Sequence, residues 1–65
     1  MGEWISVKDR LPGVNEDVWC WSNKNGGEMF VGYIGYLTHE WTKNGSLYIG
    51  EVTHWMPLPE PPKEG

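Results

Sequence analysis

No stretch of the chain sustains a helical repeat over three turns. Apolar and polar positions alternate in short runs, and Gly or Pro interrupts each run, which predicts strands joined by turns. Trp4 to Val7 reads as a short strand, and Lys8-Asp9-Arg10-Leu11-Pro12-Gly13 as a turn, because Pro12 biases Leu11 away from helix. From Asp17 to Asn23 the alternation is clean, with Val18 and Cys20 on one face and Trp19 and Trp21 on the other. Both faces are apolar, so the strand is expected to be covered twice: by its own fold, and by a partner or ligand.

Asn23-Lys24-Asn25-Gly26-Gly27 is the strongest turn signal, since Asn-Gly and Gly-Gly supply the positive φ of tight hairpins. Its partner strand is expected from Glu28 to Tyr36. There Phe30, Gly32, Ile34 and Tyr36 share one parity, and Met29, Val31, Tyr33 and Gly35 the other. Glycines inside a strand predict a bend, a bulge or the close approach of another group. Thr38 to Thr42 is read as a further strand closed by the Lys43-Asn44-Gly45 turn, and Leu47 to Ile49 and Glu51 to Met56 as two fragments around Gly50. The expected fold is all-β: an antiparallel meander of four to five short strands, bent strongly enough to resemble a partly open barrel. One domain is expected over residues 1–58, followed by a Pro-rich tail over 59–65 that lies extended along an open sheet edge.

Composition narrows the partners. The five cations, Lys8, Arg10, Lys24, Lys43 and Lys63, are scattered in a chain of net charge −4, which argues against a nucleic-acid polymer but leaves room for a small anion. At 65 residues the core is thin, and self-association would bury what a short chain exposes, so a homo-oligomer is expected. No apolar run approaches membrane-spanning length and the N-terminus has no secretory pattern, so no membrane partner is expected and the expected location is the cytoplasm.

Catalytic constellations are weak. Cys20 is the single cysteine, His39 and His54 are fifteen positions apart, and neither a paired-ligand metal motif nor a nucleophile with an adjacent base can be read. The expectation is a protein without catalysis, metal or cofactor. The aromatics carry more information: five Trp, three Tyr and one Phe. Trp4 and Trp55, each beside an aliphatic neighbour in a strand, are expected in the core. Trp19, Trp21, Tyr33, Tyr36 and Trp41 are too many for the same small interior and are expected at a ligand surface, with Lys24, Lys43 or Arg10 available for a phosphate.

Trp4-Ile5-Ser6-Val7-Lys8-Asp9-Arg10-Leu11-Pro12 at one end and Val52-Thr53-His54-Trp55-Met56-Pro57-Leu58-Pro59-Glu60-Pro61-Pro62 at the other resemble a family of small phage and prophage proteins catalogued as domain of unknown function 551. The resemblance implies expression inside a bacterial host and an accessory role there. By analogy with phage proteins that counter host defence, it implies an oligomer that sequesters a small nucleotide-derived immune signal between Trp and Tyr rings. The rival expectation is an inhibitor or adaptor that applies the same aromatic surface to a host defence enzyme.

Overall fold

The computed structural model describes residues 3–59. One antiparallel sheet of six strands runs through it: β1 (Ile5–Ser6), β2 (Val18–Ser22), β3 (Glu28–Ile34), β4 (Trp41–Lys43), β5 (Ser46–Leu47) and β6 (Val52–Pro57). Their spatial order is β1-β6-β2-β3-β4-β5, and the sheet does not close. The all-β antiparallel reading holds. Only β2 to β5 form a meander, because β6 returns to the free side of β2 and then takes β1 as its outer neighbour.

Local chemistry explains the hairpins. Asn25, Gly26 and Gly27 all adopt positive φ (54°, 85° and 127°), which turns the chain between β2 and β3. Asn44 and Gly45, at 54° and 81°, do the same between β4 and β5. Gly32 has a different task. A Cβ there would lie 2.8 Å from the Thr42 carbonyl oxygen and 2.9 Å from the Phe30 ring, so the missing side chain is what lets β3, β4 and the core come together.

Parity assigns the two faces. Val18, Cys20, Phe30, Val52 and Trp55 form the buried cluster on one of them, with Ile5, Val7, Trp41 and Tyr48 packed against it. Among the described residues no second sheet or helix covers this cluster. The 7–12 segment closes it, anchored where Trp55 Nε1 donates to the Arg10 carbonyl at 2.9 Å, and the Tyr48 ring lies 4.4 Å from that of Phe30. No buried side-chain nitrogen or oxygen lacks a partner among the described residues.

Several boundaries differ from the alternation. β3 ends at Ile34, because Tyr36 to Thr38 turn and Gly35 N–H donates to the Glu40 carbonyl, so Tyr36 leaves the ladder and the strand expected over Thr38–Thr42 begins only at Trp41. Leu47 to Ile49 yields only Ser46–Leu47, since the chain bends at Ile49 and Gly50. The Pro-rich tail from Glu60 onward lies outside the described residues.

Candidate functional site

The opposite face of the sheet is the candidate. Its side chains follow from register: Trp21 stands opposite Met29 and His54, Trp19 opposite Val31 and Met56, and Ser6 opposite His54. Trp4, one position before β1, completes the surface by setting its ring 6.2 Å from that of Trp21. Further along, Tyr33 pairs with Thr42 and Thr42 with Leu47. Met29 and Val31 are 52% and 41% exposed, values that ordinary core strand positions do not reach.

Hollows open on and beside this face. Trp4, Trp21 and His54 line a largely apolar groove of about 270 Å³. Asn15, Tyr33, Tyr36, Leu37 and Leu47 help to line a second of about 410 Å³, beyond the end of β3. Trp21 is held in place by its neighbours: its Nε1 donates to Asn23 Oδ1 at 3.2 Å, and its ring lies across Gly27, where a Cβ would meet it at 2.9 Å. His54 Nδ1 sits 2.9 Å from the Thr53 hydroxyl.

The expected ligand residues divide between the faces. Trp19, Trp21 and Tyr33 lie on the open one, and Tyr36 flanks it from the turn after β3, 64% exposed. Trp41 pairs with Ile34 and packs, half-buried, against the core on the side away from Trp19 and Trp21. Trp4, expected inside, is 39% exposed, because its parity places it with Ser6 and away from Trp55, which is 4% exposed. Sequence reasoning had no access to this exchange, since the β1–β6 register joins the two ends of the chain.

The three cations sit on the covered face. Arg10 lies 5.9 Å from the centre of the Trp55 ring, Lys24 5.5 Å from that of Tyr48, and Lys43 5.1 Å from that of Phe30. Lys43 also donates to Glu28 Oε2 at 2.8 Å, which holds the Glu28 carboxyl below its ordinary range and raises the Lys43 ammonium above its own. Their ring contacts are thus with Trp55, Phe30 and Tyr48 rather than with Trp19 or Trp21. Burial pushes the Cys20 thiol up to about 11, partly offset by a hydrogen bond from the Gly32 backbone, so it is a poor nucleophile. Among the described residues no cluster of His, Cys, Asp and Glu can hold a metal, and no helix is long and apolar enough to cross a membrane.

A small single-sheet β protein with one face closed by loops and one aromatic face open is the class defined by this geometry. The chain belongs to the family described as "Protein of unknown function (DUF551)", whose model matches residues 3–63. It is similar to the "Uncharacterized 7.8 kDa protein in ral-gp17 intergenic region" of Salmonella phage P22, with 35% identity over 66 residues that cover 95% of this chain and 98% of the relative. No solved structure matches it.

Proposed function

We propose that this is a non-enzymatic phage-type binding protein that works in the host cell by laying its open sheet face on a host protein, as an inhibitor or adaptor. The observation that carries the reading is the face itself. Trp4, Trp19, Trp21, Met29, Val31, Tyr33 and Met56 share it, and no strand position on it bears Asp, Glu, Lys or Arg. Large rings and Met side chains at the centre of a surface, with charge excluded from it, is the composition of a protein-binding hot spot. The kinship with a phage protein supports a host target, and a host defence enzyme is the class expected from that context.

Sequestration of a nucleotide-derived immune signal is the second reading, favoured by the groove of Trp4, Trp21 and His54, whose rings offer a stacking wall. It ranks below the first because Arg10, Lys24 and Lys43 are engaged on the other face.

Affinity capture from host lysate with the full chain tests the ordering, followed by titration of the captured protein with purified material. Met29→Glu should abolish capture while Lys43→Met, on the covered face, retains it. Equal capture by both variants, or calorimetric binding of cyclic dinucleotides in place of any protein, reverses the order of the two readings.

A further inference from the structure

We propose that two copies of the chain pack open face to open face, so that in the absence of a target each covers the other's aromatic surface. This rests on the reading of that face as the binding surface and adds its regulation: a target must displace the second copy.

Three observations select a second copy over any other resting occupant. First, the fold lacks a layer. Stable domains pack at least two layers of secondary structure, whereas here one sheet has loops on one side and nothing on the other among the described residues. A second sheet at about 10 Å is the standard solution for such a face.

Second, the charge pattern is self-compatible. The chain carries a net charge of −4, so copies repel in general. Yet the strand positions of the open face, from Ser6 through His54, Met56, Trp19, Trp21, Met29, Val31, Tyr33 and Thr42 to Leu47, include none of its Asp, Glu, Lys or Arg residues. A two-fold interface presents the same patch to itself, and an uncharged patch meets no like charge there. Lys8, after β1, and Asp17, before β2, bring one charge of each sign to positions beyond the ladder, where an interface rim is polar.

Third, the size is adequate. Four strands at about 4.8 Å spacing and five residues at about 3.4 Å give a footprint of roughly 19 by 17 Å. That footprint is about 320 Å² in projection, and side-chain relief with the Tyr33–Thr42–Leu47 extension raises it towards about 600 Å² per copy, the lower bound of a specific interface. The edges are less suited to pairing. β1 and β5 are two residues each, too short to template a continuous intermolecular sheet.

Val31 and Met29 lie on β3 beside β2, at the middle of the strand order, and a two-fold axis through that region sets them against their symmetry mates. Sedimentation equilibrium on the full chain should give about twice 7.5 kDa at micromolar concentration. Val31→Glu and Val31→Lys should each raise the dimer dissociation constant by about 100-fold or more, because like charges would meet across the axis. An equimolar mixture of the two should restore the dimer, and added salt should weaken that mixed species. Circular dichroism verifies the sheet in each variant. If Val31 substitutions disturb it, the same pair at the more exposed Met29 serves. A wild-type chain that stays at 7.5 kDa throughout, a dimer that survives either variant, or a mixture that remains monomeric overturns the inference. Capture of a host protein by a strictly monomeric chain ends this inference while leaving the proposed function standing.

Discussion

Strand β2 presents its smallest side chains to the core and its largest to the other face. Val18, Cys20 and Ser22 are fully buried, while Trp19 and Trp21, with far more apolar surface, are only partly buried. Hydrophobicity alone predicts the reverse. The difference lies in what covers each face. The covered face is roofed by short loops, and its volume is already filled by rings from neighbouring strands and loops, Trp55, Phe30 and Tyr48, so only small groups fit between them. Gly32 marks the same tightness on β3. Among the described residues the open face has no roof, so large rings fit there without a steric penalty. Burial in this sheet follows the loops, and the surplus apolar surface is left available for recognition.

Substituting the central ring of each face gives the largest expected contrast. Trp55→Ala removes a buried ring, its hydrogen bond to the Arg10 carbonyl and the stacking of Arg10 on it, and large-to-small changes of this kind cost about 3–5 kcal/mol. A domain of this length holds roughly 3–10 kcal/mol in total, so the variant should lose most of its cooperative urea transition. Trp19→Ala, on the open face and made in the monomeric Val31→Glu background so that self-association does not contribute, should cost about 1 kcal/mol and leave the transition intact. Comparable losses at the two positions would mean that the open face is packed as a core, and the comparison would fail.

Gly32→Ala tests how tightly the covered face is built. The added methyl would meet the Thr42 carbonyl oxygen at 2.8 Å, a backbone atom that cannot swing aside, and overpacking typically costs about 1–3 kcal/mol. Denaturant midpoints of this variant and of Val31→Ala, one position before it and on the open face, should differ in that direction. A neutral Gly32→Ala would show that β3 and β4 can separate freely.

How much of this was legible beforehand depends on sequence distance. The β2–β3 hairpin could be read because Asn23 to Gly27 fixes both turn and register, and parity then carries Trp19 and Trp21 onto the face of Met29 and Val31. The β4–β5 turn was readable for the same reason. Trp4, His54 and Met56 were not, because their places come from β1–β6 and β2–β6 pairing between distant segments, and no local turn records that register. The face of Trp41 was not readable either, because Trp suits a strand on either face. The side of the sheet taken by the cations was likewise hidden, because it depends on turn and strand geometry that spacing does not reveal. Lys24, from the β2–β3 turn, and Lys43, the last residue of β4, both end over the Phe30–Tyr48 pair.

Cys20 gives a smaller effect with a definite sign. Burial raises its thiol to about 11, whereas a thiol in an unfolded chain titrates near 8.5, so between those values the folded state keeps a proton that the unfolded state releases. Its contribution to stability is therefore complete below about pH 8.5 and lost as pH rises towards 11. Alkylation at pH 8 should be slow in the native protein and fast in urea. In the monomeric Val31→Glu variant, Trp19 and Trp21, the residues on either side of it, should meanwhile remain quenchable by acrylamide while the sheet is folded. Rapid native alkylation would show that solvent reaches the covered face as readily as the open one.

The Glu28–Lys43 pair should have the weakest effect, and it discriminates the faces in function rather than in stability. The pair is partly solvated, so its contribution is modest and diminishes with salt. Because the Lys43 hydrogen bond lowers the Glu28 carboxyl, the pair stabilises the fold above the ordinary carboxylate range, and that contribution fades as pH falls through the depressed value. Because Glu28 raises the Lys43 ammonium, the same contribution persists through the neutral range and is lost only when pH climbs past the raised value. The melting temperature of Glu28→Gln should thus sit slightly below that of the wild type on a plateau between those limits, with the two curves converging at acid and alkaline extremes. The pair lies against Phe30 and Tyr48, on the far side of the sheet from Met29 and Val31, so the substitution should leave both self-association and host-protein capture unchanged. A Glu28→Gln variant with a normal melting curve and altered association would place the recognition surface on the loop-covered side, and the functional division between the two faces would have to be reversed.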